Sequence, residues 1–176
     1  DTPTSGLLIV AKSPQAANVF TKMFTEHKVQ KYYLAIACGK PKKKQGWIIG
    51  DMAKSRRSMY KLLRTTENPA VTQFFSQSIA SGMRMYLLKP LSGKTHQLRV
   101  ALASIGVPIL GDKLYGDELS DRCYLHAYSV HFTYLEQDYS FKQQPQFGKQ
   151  FLLPECQQLM MNQWQSPNDL LWPSKD

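Results

Sequence analysis

The sequence is poor in cysteine and has no long apolar run. Its three cysteines, Cys38, Cys123 and Cys156, are odd in number and far apart, with no C-x-x-C pair and no histidine at ligand spacing. Disulfides and structural zinc are therefore not expected, nor is any other metal. No apolar stretch approaches the roughly 18 residues of a membrane span, and the first residues lack the regions of a signal peptide. These absences favour a protein of the reducing cytoplasm that has no membrane partner.

Acidic side chains are also scarce. Asp and Glu number 13 against 22 Lys and Arg, which leaves a formal charge of +9 and a sequence pI near 9.5. This balance favours a polyanionic partner but does not identify one, because a basic protein can simply be soluble.

Nearly all of the excess positive charge lies in residues 40–64. This stretch contains a single acid, Asp51, and holds +8 of the formal charge. Its basic residues are Lys40, Lys42, Lys43, Lys44, Lys54, Arg56, Arg57, Lys61 and Arg64. Two interpretations are open: a solvated surface loop, or an arm that contacts phosphates and is mobile until it binds them.

Three common catalytic motifs are missing. The stretch SGKTH ends like a nucleotide-binding P-loop, but Leu88, inside an apolar run, stands where the first glycine of that loop would be. The four histidines, His27, His96, His126 and His131, show no H-E-x-x-H spacing, and no G-x-S-x-G elbow occurs. These absences argue against a P-loop NTPase, a zinc hydrolase and an α/β-hydrolase.

The apolar pattern predicts more strands than helices. Residues 7–10 predict a short buried strand, and Ser13 and Pro14 then provide the N-cap and first turn of a helix that extends to residue 27. Further strands are predicted at residues 29–38, 71–79, 83–90, 124–135 and 138–147, with a short helix after residue 150 and a polar tail. Hairpin-like connections favour a mixed, mainly antiparallel β-sheet flanked by helices, an α+β fold.

A second long helix is predicted between Thr95 and Ile105. Thr95 provides the N-cap, and Gly106 stands at the C-terminal cap position. The apolar stripe of this helix consists of Leu98, Leu102 and Ile105. Arg99 lies on a different face, so it is not part of that core stripe.

Three separate segments, each with an ordinary explanation of its own, together resemble one family. They read DTPTSG, KYYLA and SGKTHQLR, the last followed by GVPILGDKLYG. Their order and wording closely resemble the RNA pseudouridine synthases of the RluA-like branch, whose signatures are R-L-D-x-x-T-S-G and G-R-x-H-Q-[IL]-R-x-H. The likeness extends from Asp1 to about Phe147 and includes the L-H-A at residues 125–127.

This resemblance implies a role for three residues. Asp1 matches the catalytic aspartate, so the chain begins at its own nucleophile, and the N-terminal strands of the pseudouridine synthase catalytic fold are expected to be absent. Tyr33, in a K-x-Y setting with Lys31, matches the tyrosine that lies against the target base. Arg99 matches the arginine that pairs with the aspartate. We also expect a longer chain, extended upstream of Asp1, to be more active than these 176 residues.

The same resemblance implies RNA as the partner and a set of RNA-binding residues. These are Lys54, Arg56, Arg57, Lys94, His96 and Gln97. Lys94 replaces the commoner arginine of the family pattern and still offers a cation for phosphate, whereas Ala101 stands where a second histidine is usual.

The function expected is the isomerisation of specific uridines to pseudouridine in ribosomal or transfer RNA, by a nucleophilic aspartate acting on a flipped-out base. No cofactor is expected, because the reaction needs no redox or electron-sink step. The alternative is a basic RNA-binding module that kept the fold without the chemistry. We expect residues 1–149 to form the catalytic domain and residues 150–176 a C-terminal extension of it, in a monomer without an obligate protein partner.

Overall fold

The computed structural model describes residues 1–175, and its centre is one seven-stranded sheet. The elements in chain order are β1 (Ser5–Gly6), α1 (Pro14–Thr25), β2 (Gln30–Cys38), β3 (Gly46–Gly50), β4 (Met52–Lys54), β5 (Tyr60–Leu62), β6 (Ala70–Ala80), β7 (Met83–Pro90), α2 (Gln97–Ser104), β8 (Leu125–Tyr134), β9 (Gln137–Lys142), α3 (Pro154–Met161) and a 3-10 turn (Pro167–Asp169). The sheet order is β1-β8-β2-β7-β6-β3, with β9 also paired to β8. Only β1 runs parallel to its neighbour, so the expected α+β fold with a mainly antiparallel sheet is confirmed.

The central strands β2 and β7 form the core of the sheet. Their apolar runs place Leu34 and Leu87 on one face and Ala35 and Leu88 on the other at 0% exposure, as expected for strands covered on both faces. The predicted hairpin of β6 and β7 is confirmed, with Gly82 at positive φ in its turn. No described helix is long and apolar enough to cross a membrane.

The prediction of a buried strand at residues 7–10 is wrong. Ladder pairing of β1 with β8 ends at Gly6, apart from one further bond from the Leu7 amide to the Ala127 carbonyl. Leu7 and Ile9 pack against a small cluster of apolar residues beneath α1, whereas Leu8 and Val10 are 85% and 74% exposed. The segment therefore alternates like a strand, but it is covered on one side alone.

The N-cap predicted for the second helix is also wrong. Helix α2 begins at Gln97, and its N-cap is His96, which has left-handed backbone geometry (φ 57°) and makes no capping bond with its side chain. At the other end of the helix Gly106 has the positive φ that was expected of a C-terminal cap. For α1, by contrast, the expected cap is confirmed, because the Ser13 hydroxyl accepts a hydrogen bond from the Ala16 amide.

Residues 40–64 are neither a plain loop nor a single arm. They contain β3, at the edge of the main sheet, and the small separate hairpin of β4 and β5. The tip of that hairpin carries Lys54, Arg56 and Arg57, all exposed. The structure thus divides the basic stretch, which the charge pattern alone could not show.

The C-terminal residues pack on the core and do not form a free polar tail. Phe151 and Met160 are fully buried, and Trp172 stacks on Tyr32 with a centroid distance of 5.7 Å. The Pro173 carbonyl accepts a hydrogen bond from the indole of Trp47. The segment around α3 therefore covers the face of the sheet to which Tyr32 belongs.

Candidate active site

Asp1 lies at the start of a turn that the sheet holds firmly. The Thr4 amide donates to the Asp1 carbonyl at 3.1 Å, and the chain then enters β1. Gly6 has φ 102°, and a Cβ placed there would lie 2.2 Å from the Ala127 carbonyl oxygen. The glycine of the Thr-Ser-Gly turn is therefore required for the close approach that brings Asp1 to the sheet.

Ser5 anchors this turn through a chain of hydrogen bonds. Arg122 donates from Nη2 to the Ser5 hydroxyl at 2.6 Å, and that hydroxyl lies 2.7 Å from Nδ1 of His126. Nε2 of His126 is 2.6 Å from the Gln143 carbonyl, which can only accept, so Nε2 carries the proton and Nδ1 accepts from Ser5. Burial lowers the pKa of His126, which keeps the ring neutral and preserves this arrangement.

Arg99 faces Asp1 but has a closer partner. The guanidinium donates from Nε and Nη2 to the two carboxylate oxygens of Asp112, at 2.8 and 2.7 Å. Its remaining nitrogen, Nη1, is 3.6 Å from Oδ2 of Asp1. Burial alone would raise the pKa of Asp112, but the hydrogen bonds from Arg99 and the Leu114 amide bring it below its usual value. Asp112 thus holds the arginine in place, with one edge directed at Asp1.

His96 approaches the same carboxylate from the other oxygen. Its Nε2 is 3.9 Å from Oδ1 of Asp1, and its Nδ1 is 2.8 Å from the hydroxyl of Tyr115. The Tyr115 hydroxyl also accepts a bond from the Tyr60 amide in β5, at 2.9 Å. Burial and the nearby Arg99 charge lower the pKa of His96, so the ring is neutral at physiological pH.

A cavity of about 510 Å³ opens beside Asp1. Tyr33 and Lys31, from one face of β2, line this cavity together with Lys94 and His96 from the segment before α2. Burial raises the pKa of Tyr33 and lowers that of Lys31. The volume is sufficient for one base and its ribose, and the walls combine an aromatic ring, cations and one carboxylate.

The expectation that Asp1, Tyr33 and Arg99 come together is therefore met by the geometry, while their catalytic roles stay predictions. The two adjacent tyrosines lie in different environments, because Tyr32 packs under Trp172 and Tyr33 lines the cavity. Lys94 and His96 lie at the cavity, whereas Lys54, Arg56 and Arg57 are on the β4–β5 hairpin outside its lining. Within the described chain no three His, Cys, Asp or Glu side chains cluster as a metal site would require.

Gln97 also lines the cavity, but the polar atoms of its side chain already have partners within the protein. Its Oε1 accepts from the Ser92 hydroxyl and the Lys94 amide, at 2.8 and 3.0 Å. Its Nε2 donates to the Val71 carbonyl and the Thr72 hydroxyl, both at 3.0 Å. The residue is 5% exposed, and these bonds fix the loop that carries Lys94, while its RNA-binding role stays a prediction.

Sequence reasoning missed Asp112, Tyr115 and Arg122 as members of the site. The first two occur in the stretch GVPILGDKLYG, which contributed to the family resemblance but predicted no contact with Arg99 or His96. An aspartate and a tyrosine three residues apart carry no periodic signal that points to Arg99 or His96. Arg122 had no signal at all, because its partner Ser5 is 117 residues away.

Comparison with known proteins agrees with this geometry. Residues 1–104 match the family model described as RNA pseudouridylate synthase. An uncharacterized RNA pseudouridine synthase of Haemophilus influenzae is 51% identical over 88% of this chain and 70% of its own length. Ribosomal large subunit pseudouridine synthase C of Rickettsia bellii is 33% identical, over 74% of this chain and 46% of its own.

Two further proteins extend the comparison to an individual enzyme and to a fold. The dual-specificity RNA pseudouridine synthase RluA of Escherichia coli is 32% identical over 76% of this chain and 64% of its own length. The solved structure of human RNA pseudouridylate synthase domain containing 1 superposes with a TM-score of 0.76 at 26% identity, covering 100% of this chain and 80% of that one. The chain spans between about half and somewhat over two thirds of the length of the curated relatives named above. On the strength of the family match and the Haemophilus relative, this chain belongs to the RNA pseudouridylate synthase family.

Proposed function

We propose that this protein converts specific uridines to pseudouridines in ribosomal or transfer RNA, with Asp1 as nucleophile and without a cofactor. The observation that supports this most directly is the Asp1 carboxylate, 26% exposed at the mouth of a base-sized cavity and faced by Arg99 at 3.6 Å. A surface used for binding alone needs phosphate contacts and stacking, not an aspartate held in this way.

The reaction begins with attack of a carboxylate oxygen of Asp1 on C1′ of the target ribose. The C1′–N1 bond breaks and the uracil leaves with the electron pair on N1, as in glycoside cleavage by a carboxylate nucleophile. The ring turns within the cavity, and C5 attacks C1′ and displaces the carboxylate. Loss of the C5 proton and addition of a proton to N1 complete the isomer, so no electrons are gained or lost overall.

Arg99 and Asp112 serve the first step. The buried Arg99 charge, fixed by Asp112, attracts the Asp1 carboxylate and keeps its oxygens directed to the cavity. A lysine could not replace it, because the planar fork of arginine is what allows two bonds to Asp112 and one edge toward Asp1.

Tyr33 serves the later steps. Its ring lines the cavity and can stack on the detached uracil, which prevents the ring from leaving. Since burial raises the pKa of its phenol, the hydroxyl is protonated at neutral pH. We assign it a relay, in which its oxygen takes the C5 proton while its own proton passes to water.

Base flipping follows from the size and position of the cavity. A uridine stacked in an RNA helix cannot present C1′ to Asp1, so the nucleotide must leave the stack. We assign the flanking phosphates to Lys94 at the cavity and to the exposed cations of the β4–β5 hairpin. The name of one relative, a ribosomal large subunit synthase, supports ribosomal RNA as the substrate, whereas transfer RNA is carried over from the family resemblance.

The test is tritium release from ribosomal and transfer RNA transcripts that carry 5-tritiated uridine. The wild-type protein should release tritium, and Asp1→Asn should reduce the rate by a factor on the order of 10³ or more. Asp117→Asn, an exposed aspartate outside the site, is the matched control and should leave the rate unchanged. Tight RNA binding without tritium release from any transcript would instead support the non-catalytic binding module.

A further inference from the structure

The Tyr115 hydroxyl holds a position between three functional elements. It lies 2.8 Å from Nδ1 of His96 and accepts the Tyr60 amide of the basic hairpin at 2.9 Å. The ring of the same residue lies under the Arg99 guanidinium, 5.2 Å from centroid to Cζ. Its own backbone amide is held by Asp112. One residue thus contacts the histidine and the arginine that face opposite oxygens of Asp1.

The hydrogen bonds around Tyr115 favour one position for the His96 proton. A phenol has one proton to donate, and the Tyr115 oxygen already accepts from Tyr60. Among the described residues, Nδ1 of His96 is the acceptor that the Tyr115 proton can reach. With Nδ1 accepting, the proton of the neutral ring must be on Nε2. That atom faces Oδ1 of Asp1 at 3.9 Å.

The backbone of His96 agrees with a functional purpose. His96 has φ 57°, an unfavourable region for a residue other than glycine, and its side chain makes no capping bond to α2. Strain of this kind persists where the surroundings hold it in place. Here the left-handed geometry turns the imidazole back from the helix and toward Asp1 and Tyr115.

We propose that Tyr115 is a positioning residue that sets the tautomer of His96, so that its Nε2 proton is directed at the Asp1 carboxylate. Arg99 and this donor then face the two carboxylate oxygens, at 3.6 and 3.9 Å, and their charge and dipole orient the nucleophile toward the cavity. The inference rests on the proposed function for its kinetic consequence. Its tautomer consequence is independent of any reaction.

The first test is nitrogen-15 NMR of histidine-labelled protein. Wild-type His96 should show the shifts of a neutral ring protonated on Nε2, and Tyr115→Phe should move the ring to a mixture of tautomers. Tyr134→Phe removes a tyrosine hydroxyl outside the site and should leave the His96 signals unchanged. A wild-type ring protonated on Nδ1 would overturn the proposal, whatever the protein does to RNA.

The second test is kinetic, with the same tritiated transcripts. Tyr115→Phe should lower kcat by roughly 10-fold to 100-fold, while KM changes by less than about 2-fold, because orientation of the nucleophile is lost and most of the RNA contacts are kept. In a His96→Ala background the same substitution should have little further effect, since Tyr115 acts through His96. A wild-type kcat in Tyr115→Phe, or an equal loss in both backgrounds, would refute it. Absence of activity in the wild type would refute the proposed function, while the NMR result would still decide the tautomer.

Discussion

Arg99 and Asp112 form a bidentate ion pair that is almost fully buried, with hydrogen bonds of 2.8 and 2.7 Å and side-chain exposures of 5% and 0%. Asp1, to which the arginine was expected to pair directly, is a third member at 3.6 Å. The guanidinium therefore has a structural partner in Asp112 and a remaining edge that faces Asp1. Because Asp112 compensates it, the buried positive charge of Arg99 does not depend on Asp1 for a counter-charge.

Loss of Asp112 should destabilise the protein. Asp112→Asn removes the bidentate partner of the buried Arg99 charge and leaves it only the more distant Asp1 carboxylate at 3.6 Å, and removal of one partner of such a pair costs about 3–5 kcal/mol. Urea denaturation followed by circular dichroism measures this loss. Asp117→Asn, an exposed site, should change the free energy of unfolding by less than about 0.5 kcal/mol. Equal stabilities for the two variants would show that Asp112 is not the required partner of Arg99.

Gly6→Ala should be more damaging than Gly82→Ala, although both glycines have positive φ. The backbone cost of a left-handed alanine, about 1–2 kcal/mol, is common to both. A new Cβ at Gly82 meets nothing within 4 Å, whereas at Gly6 it lies 2.2 Å from the Ala127 carbonyl oxygen. The Asp1 turn must then move off β8. Thermal unfolding and tritium release should both show the difference, and similar behaviour of the two variants would contradict the proposed constraint on the turn.

His126 should contribute a pH dependence to stability. Burial lowers its folded-state pKa below the ordinary value of 6.5, so the unfolded chain binds the extra proton more readily. Its contribution is complete above about pH 6.5 and is lost as the pH falls from there through the folded pKa, with a slope of up to about 1.4 kcal/mol per pH unit. Urea denaturation between about pH 5 and pH 8 measures the slope.

The controls for this prediction are two substitutions to glutamine. His126→Gln should flatten the dependence of unfolding free energy on pH. His131→Gln, which changes a ring bonded to the exposed Ser140, should retain it. If both variants keep the wild-type slope, the hydrogen-bond chain from Arg122 through Ser5 does not depend on a neutral His126.

The β4–β5 hairpin should supply a measurable share of salt-dependent RNA affinity. Alanine at Lys54, Arg56 and Arg57 should reduce the slope of log affinity against log salt by about 0.7 for each phosphate contact removed. Lys12, Lys22 and Lys28, which do not line the cavity, provide a control with the same change of charge. An equal slope in the wild type and the hairpin variant would support the alternative interpretation, in which the basic residues are a solvated surface without phosphate contacts. Whether the hairpin moves before it binds stays a prediction of the charge pattern.

Local pattern sufficed for the α+β fold and for most of its elements. Apolar runs and turn residues predicted β2, the β6–β7 hairpin and β8 with β9, because these pairings are between neighbours in sequence or follow from strong β propensity. The resemblance of the sequence motifs to those of the family predicted that Asp1, Tyr33 and Arg99 lie in one site. The motif could predict this site because it contains the residues that lie together in the folded family members. It does not contain the contacts that hold those residues in place.

Tertiary structure decided which partners the site residues have. Gln97 was expected to bind RNA, yet its side chain makes four internal hydrogen bonds. Two of these bonds are to β6, 25 and 26 residues away in sequence, and local pattern could not predict them. The pairing of Arg99 with Asp112 and of His96 with Tyr115 depends on how the loop after α2 folds back onto the helix. Hydrogen-bond geometry between such side chains has no sequence period. It is set when packing excludes water and each buried polar group must find a partner in three dimensions.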